Sequence, residues 1–130
     1  MAASLKQDYE KILRAGANLV MISPDSLERH RHYAQTLFHG PLPYLYVSDG
    51  DLDIARRYGL SREHEHPHGG FYYRSLWILN RDSVITHRSV PWDGNARIEE
   101  YQKLFTLIGG EPGEWRATCG LRMPGDLHAG

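Results

Sequence analysis

Between two amphipathic stretches lies NLVMIS, residues 18–23, an apolar run with no polar alternation. A half-exposed strand alternates in polarity, so a short continuous run of this kind predicts a strand covered on both faces. Covered strands need helices, and the flanks supply them. SLKQDYEKILRAG, residues 4–16, predicts a helix with Ser4 and Gln7 as a capping box, Leu5, Tyr9, Ile12 and Leu13 on one face, and Gly16 just past its end. PDSLERHRHYAQTLF, residues 24–38, predicts a second helix with Asp25 as N-cap and Glu28 completing the capping pattern.

Further along, Tyr44–Val47 is a short strand whose preceding prolines, Pro41 and Pro43, mark a sheet edge. GDLDIARRYGL, residues 50–60, predicts a short helix closed by Gly59, and SREHEHPHGG, residues 61–70, a loop. YYRSLWIL and SVITHRSV are β-rich and meet at NRDS, which predicts a hairpin. NARIEEYQKLFTLIGG, residues 95–110, predicts the last helix, with a stripe of Ile98, Tyr101, Leu104, Phe105 and Ile108 ended by Gly109 and Gly110. Trp92 and Trp115 flank that helix as anchors. The order α-β-α-β-α-β-β-α implies parallel strands joined by right-handed crossovers, then an antiparallel hairpin. Residues 1–110 read as one domain and residues 111–130, which have no periodicity, as a mobile C-terminal tail.

Charge and cysteine usage narrow the function classes. The net charge of -1 gives no electrostatic case for nucleic acid, and the aromatics Tyr44, Tyr46, Tyr72, Tyr73 and Trp77 read as core and interface rather than a base-stacking platform. No apolar run reaches the roughly 20 residues of a membrane span, and the start MAASLKQDYEK lacks the order of a signal peptide. The single cysteine, Cys119, excludes an internal disulfide and fits a reducing, cytoplasmic setting. No cofactor motif stands in the chain.

Three segments in this order resemble the peroxiredoxin family, the alkyl hydroperoxide reductase and thiol-specific antioxidant group of the thioredoxin-like fold. GANLVMISPDS is similar to the family's strand running into Ser-x-Asp, LPYLYVSDGDLDIARRYGL to its following strand, short helix and Tyr-Gly, and YRSLWILNRDSVI to its Arg-led hairpin. The resemblance covers about residues 4–108. It implies an α/β, thioredoxin-like, peroxiredoxin-type three-layer sandwich with a mixed sheet and a C-terminal β-hairpin, and an activity of thiol-dependent hydroperoxide reduction with a thiol reductant as partner.

Arg74 occupies the position where the family places an arginine against its reactive cysteine. A guanidinium there lowers a thiol pKa and stabilises charge developing in the transition state. Arg74 is therefore expected to be partly buried and to point toward the start of the first helix. The plainer alternative is a strand-end arginine facing water. The family's Pro-x-x-x-Ser/Thr-x-x-Cys motif is absent, because residues 1–118 contain no cysteine. The strand that would lead into it is absent as well, so the fold is expected to be N-terminally truncated. The gap leaves three outcomes open: direct pairing of the two orphaned strands, a strand from a homo-oligomer or partner protein, or a longer polypeptide. Cys119 is either a resolving thiol, as the resemblance allows, or an incidental solvent-exposed thiol with only Arg116 nearby in the sequence to lower its pKa. His64, His66 and His68 would share a face if extended, giving either a metal site or a solvated, pH-responsive loop. His87 and Arg88 could add to that site or face water.

Overall fold

The computed structural model describes residues 2–65, 67, 71–90 and 96–115. Its elements follow the expected order: α1 (Ala2–Arg14), β1 (Val20–Ser23), α2 (Leu27–Phe38), β2 (Leu45–Ser48), α3 (Asp53–Arg57), a 3-10 turn (Arg62–His64), β3 (Leu76–Leu79), β4 (Ile85–Ser89) and α4 (Ala96–Leu107). No helix among the described residues is long and apolar enough to cross a membrane.

Helix boundaries differ from the sequence reading where capping chemistry is ambiguous. The helix-favouring Ala2 and Ala3 carry α1 upstream of Ser4, which lies inside the helix, fully buried, and is not its N-cap. At α2 the cap is Ser26 rather than Asp25: its extended backbone presents the hydroxyl to the Arg29 N–H at 3.1 Å. C-terminal ends behave as expected. Gly16 has a φ of 81° and takes the left-handed position of a paired terminal motif, with Gly16 N–H bonded to Leu13 O and Ala17 N–H to Ile12 O. The same pairing closes α4, where Gly109 and Gly110 donate to Thr106 O and Phe105 O.

β1 pairs with β2 in parallel, Val20 opposite Leu45 and Ile22 opposite Val47. β3 and β4 form an antiparallel hairpin with a bulge between Ile78 and Leu79. Its turn is held by Asn80, whose side-chain oxygen accepts from the N–H groups of Asp82 and Val84. Parallel and antiparallel pairing are thus both present, but as two separate two-stranded units: β1 does not pair with β3. Direct closure of the gap is therefore not what this chain does.

Both units rest on one core of Leu5, Ile12, Ala34, Leu42, Tyr44, Tyr101, Leu104 and Phe105, with Met21 of β1 and Leu76 and Ile78 of β3 packed against it. Tyr101 and Phe105 are completely enclosed and meet edge to face at 5.2 Å between centroids. The expectation that β1 is covered on both faces is corrected. Met21 faces the core, whereas Val20 and Ile22 are 46% and 44% exposed. Leu13 and Ile98, assigned from periodicity to buried stripes, are also exposed.

Candidate functional site

The C-terminal end of the parallel pair is organised by Asp49 and Tyr46. Asp49 is almost fully buried, and its N–H donates to Ser23 O at 2.8 Å. Its two carboxylate oxygens accept from Ile54 N–H at 2.9 Å and Ala55 N–H at 3.0 Å. It therefore caps α3 from four residues upstream, where Leu52 at the N-cap position offers no side-chain acceptor. The Tyr46 hydroxyl lies 2.6 Å from Ser23 Oγ and donates to Asp25 O at 2.6 Å. His30 stacks on the Tyr46 ring at 3.7 Å with a 7° tilt. Burial lowers the His30 pKa, opposed by the charge of Asp25. These groups are committed to one another, and the cluster is a brace rather than a set of reactive side chains.

Arg74 stands just before β3 and is exposed, which corrects the expectation of partial burial. Among the described residues it takes part in no ion pair. A guanidinium left open at a strand entrance can receive an anion in bidentate fashion.

The histidine loop does not begin as an extended segment. His64 ends a 3-10 turn, its Nδ1 accepts from Ser61 N–H at 3.0 Å, and its carbonyl accepts from Tyr73 N–H at 2.8 Å. One of its ring nitrogens is thereby occupied. His66, His68, Trp92 and Cys119 lie outside the described residues. Among the described residues no group of three or more His, Cys, Asp or Glu is arranged to hold a metal ion. His87 pairs with Glu100 of α4 at 3.0 Å, and Arg88 lies over the Trp77 ring at 5.1 Å, so both are engaged within the fold.

One polar centre escaped the sequence reading. Asp8 of α1 is inaccessible to solvent. Its Oδ2 accepts from Tyr101 OH at 2.6 Å and from Glu114 N–H at 2.7 Å. Lys11 Nζ stands 3.1 Å from Oδ1 as an ion pair that lacks hydrogen-bond alignment. Burial pushes the Asp8 pKa up, but Tyr101, the Glu114 amide and Lys11 together outweigh it and leave it lowered. The clue lay in spacing: Asp8 falls on the same face as Leu5, Tyr9 and Ile12. Residues 111–115, assigned from sequence to the tail, reach this centre, and Trp115 packs on Tyr101 at 5.3 Å between centroids.

Comparison with known proteins places these elements. The AhpC/TSA family profile matches residues 1–88. Alkyl hydroperoxide reductase C of Buchnera aphidicola subsp. Baizongia pistaciae (strain Bp) is 26% identical over an alignment of 91 residues that covers 67% of this chain and 44% of that protein. Chloroplastic peroxiredoxin Q of Sedum lineare is 29% identical over 84 residues, 65% of this chain and 42% of that protein. The chain thus spans less than half the length of these curated relatives. Plasmodium yoelii thioredoxin peroxidase I shares the fold with a TM-score of 0.65 at 21% identity, over 83% of this chain and 60% of that one. With the profile covering more than half of its residues, and the strand, turn and hairpin segments in matching order, the chain belongs to the AhpC/TSA family.

Proposed function

We propose that this chain is a peroxiredoxin-like redox protein that retains the cationic side of a thiol-peroxide site and not its nucleophile. In the reaction of such a site, a thiolate sulfur attacks a peroxide oxygen and the O–O bond breaks. The departing oxygen leaves with the electron pair and takes a proton, and the sulfur becomes a sulfenic acid; one external thiol condenses with it to a mixed disulfide, releasing water, and a second restores the thiol. Arg74 carries the reading: among the described residues it is an exposed guanidinium without an ion pair at the entrance of β3, suited to hold a thiolate and the departing oxygen. Residues 1–118 offer no cysteine for the attack. The 130-residue chain is therefore expected to consume hydrogen peroxide no faster than free cysteine does. Stopped-flow turnover far above a thiol control, lost in Cys119→Ser, would overturn this.

A non-catalytic assembly role is the second reading, favoured by one observation. Val20, Ile22 and Leu45 lie on one face of the parallel pair and are 46%, 44% and 61% exposed. Parallel strands are ordinarily covered on both faces, and the unpaired edge of β1 carries no charge or proline to discourage further pairing. The chain is expected to associate, with itself or with a partner that adds a strand. Light scattering coupled to size exclusion at micromolar concentration tests this: a cooperative 14.9 kDa monomer rules it out.

A further inference from the structure

We propose that residues 111–115 form a releasable strap, latched onto the seam between α1 and α4 by the Asp8 carboxylate. The inference is independent of the redox reading, because it rests on contacts of this segment alone. Polar groups spaced along one face of α1 hold the strap, and Trp115 anchors its far end on Tyr101. Lys11 Nζ donates to Pro112 O at 3.0 Å, Arg14 Nε pairs with Glu111 at 3.0 Å, and Gln7 Nε2 reaches Glu114 at 3.4 Å. Between them the Glu114 N–H donates to Asp8. Glu111, Pro112 and Glu114 are exposed, so the strap adds little apolar burial beyond Gly113 and the half-buried Trp115. Gly113 lies so close to Phe105 that a Cβ there would collide with the ring.

One oxygen makes the latch. Asp8 Oδ2 ties α1 to α4 through Tyr101 and to the strap through Glu114. The helices have further attachment, since Leu5, Ile12, Leu104 and Phe105 belong to the common core. The strap's apolar attachment is the half-buried Trp115, which packs on Tyr101, and the close approach of Gly113 to Phe105. Neutralising Asp8 weakens its central contact and leaves the helix packing in place. The charged or titratable groups facing Asp8 are Lys11 on α1 and Tyr101 on α4, with Glu114 on the strap reached through its amide; the Arg14–Glu111 pair lies further along the same face.

The test is amide hydrogen exchange on the full chain, resolved by residue. In Asp8→Asn, the Glu114 amide is expected to exchange at least about tenfold faster, while amides within α1 and α4 keep their protection. In the wild type the Glu114 amide proton shift should follow the Asp8 titration. A folded Asp8→Asn variant with Glu114 protected as in the wild type refutes the proposal. If Asp8→Asn does not fold, Gly113→Ala decides, since it pushes the strap off Phe105 and leaves Asp8 intact. Selective loosening of Glu114 in that variant supports the strap. Unchanged protection, or helices that open together with it, shows that the segment is an inseparable part of the core and overturns it.

Discussion

Two tyrosines in one core make a controlled experiment on what a hydroxyl contributes. Tyr101 and Tyr44 are both buried, at 0% and 4% exposure. The Tyr101 hydroxyl donates to Asp8 at 2.6 Å, whereas the Tyr44 hydroxyl has no hydrogen-bond partner among the described residues. Removing the first leaves a buried carboxylate one donor short, a charge-assisted loss of about 1.5–3 kcal/mol. Removing the second deletes an unsatisfied polar group, so Tyr44→Phe should be neutral or stabilising by up to about 1 kcal/mol. Tyr→Phe is the same chemical change at both sites, and the signs should differ. Urea unfolding of both variants is the assay. The pH dependence adds a second check. Asp8 has a lowered folded pKa, so it contributes stability that is fully present above its unfolded value of about 3.9 and is lost as pH falls through the folded value. In Tyr101→Phe the strongest lowering influence is gone and burial pushes the folded pKa up. The gap between wild type and variant should be widest at neutral pH and narrow in acid. A gap under about 0.5 kcal/mol, or one independent of pH, would refute the reasoning.

Asp49→Ala leaves two N–H groups of α3 without acceptors and should cost about 2–3 kcal/mol in chemical denaturation; a loss confined to a few tenths would mean that water replaces the carboxylate. Asn80→Ala removes the acceptor of Asp82 and Val84 N–H in the hairpin turn and should cost about 1 kcal/mol, with exchange rising first at residues 80–84. Val20→Lys with Ile22→Lys should shift the light-scattering mass of any assembly toward the monomer, because it places charge on the uncovered face of β1. Unchanged mass would place the contact elsewhere.

The element order was legible because each element carries its own local signal. Gly16 and Gly109 marked helix ends, the NLVMIS run marked β1, and NRDS marked the hairpin turn. Starts were less legible, since Asp25 and Ser26 are both good caps and the choice between them depends on backbone direction rather than residue type. The two-faced burial expected for β1 went wrong for another reason. An apolar run states what a strand requires, and only tertiary structure shows what covers it. Val20 and Ile22 carry the composition of buried residues and stand exposed.

The site was legible in proportion to how local its partners are. Arg74 stood out because it opens a strand of otherwise apolar and aromatic residues, but its exposure depends on what packs around the strand entrance. Asp8 sat on the apolar face of α1, and that conflict between a carboxylate and a buried stripe was visible in the sequence. Its resolution was not, because the donors that make burial tolerable come from Tyr101, 93 residues away, and Glu114, 106 residues away. A charge on a buried stripe requires a distant partner, and in this chain that requirement is met by the last helix and by the segment after it. The same logic applies in reverse to Tyr44, whose hydroxyl is buried beside the core with no acceptor for its proton among the described residues. Where a polar group is buried and paired, as at Asp8, substitution leaves its donors short of an acceptor. Where it is buried and unpaired, substitution relieves the fold.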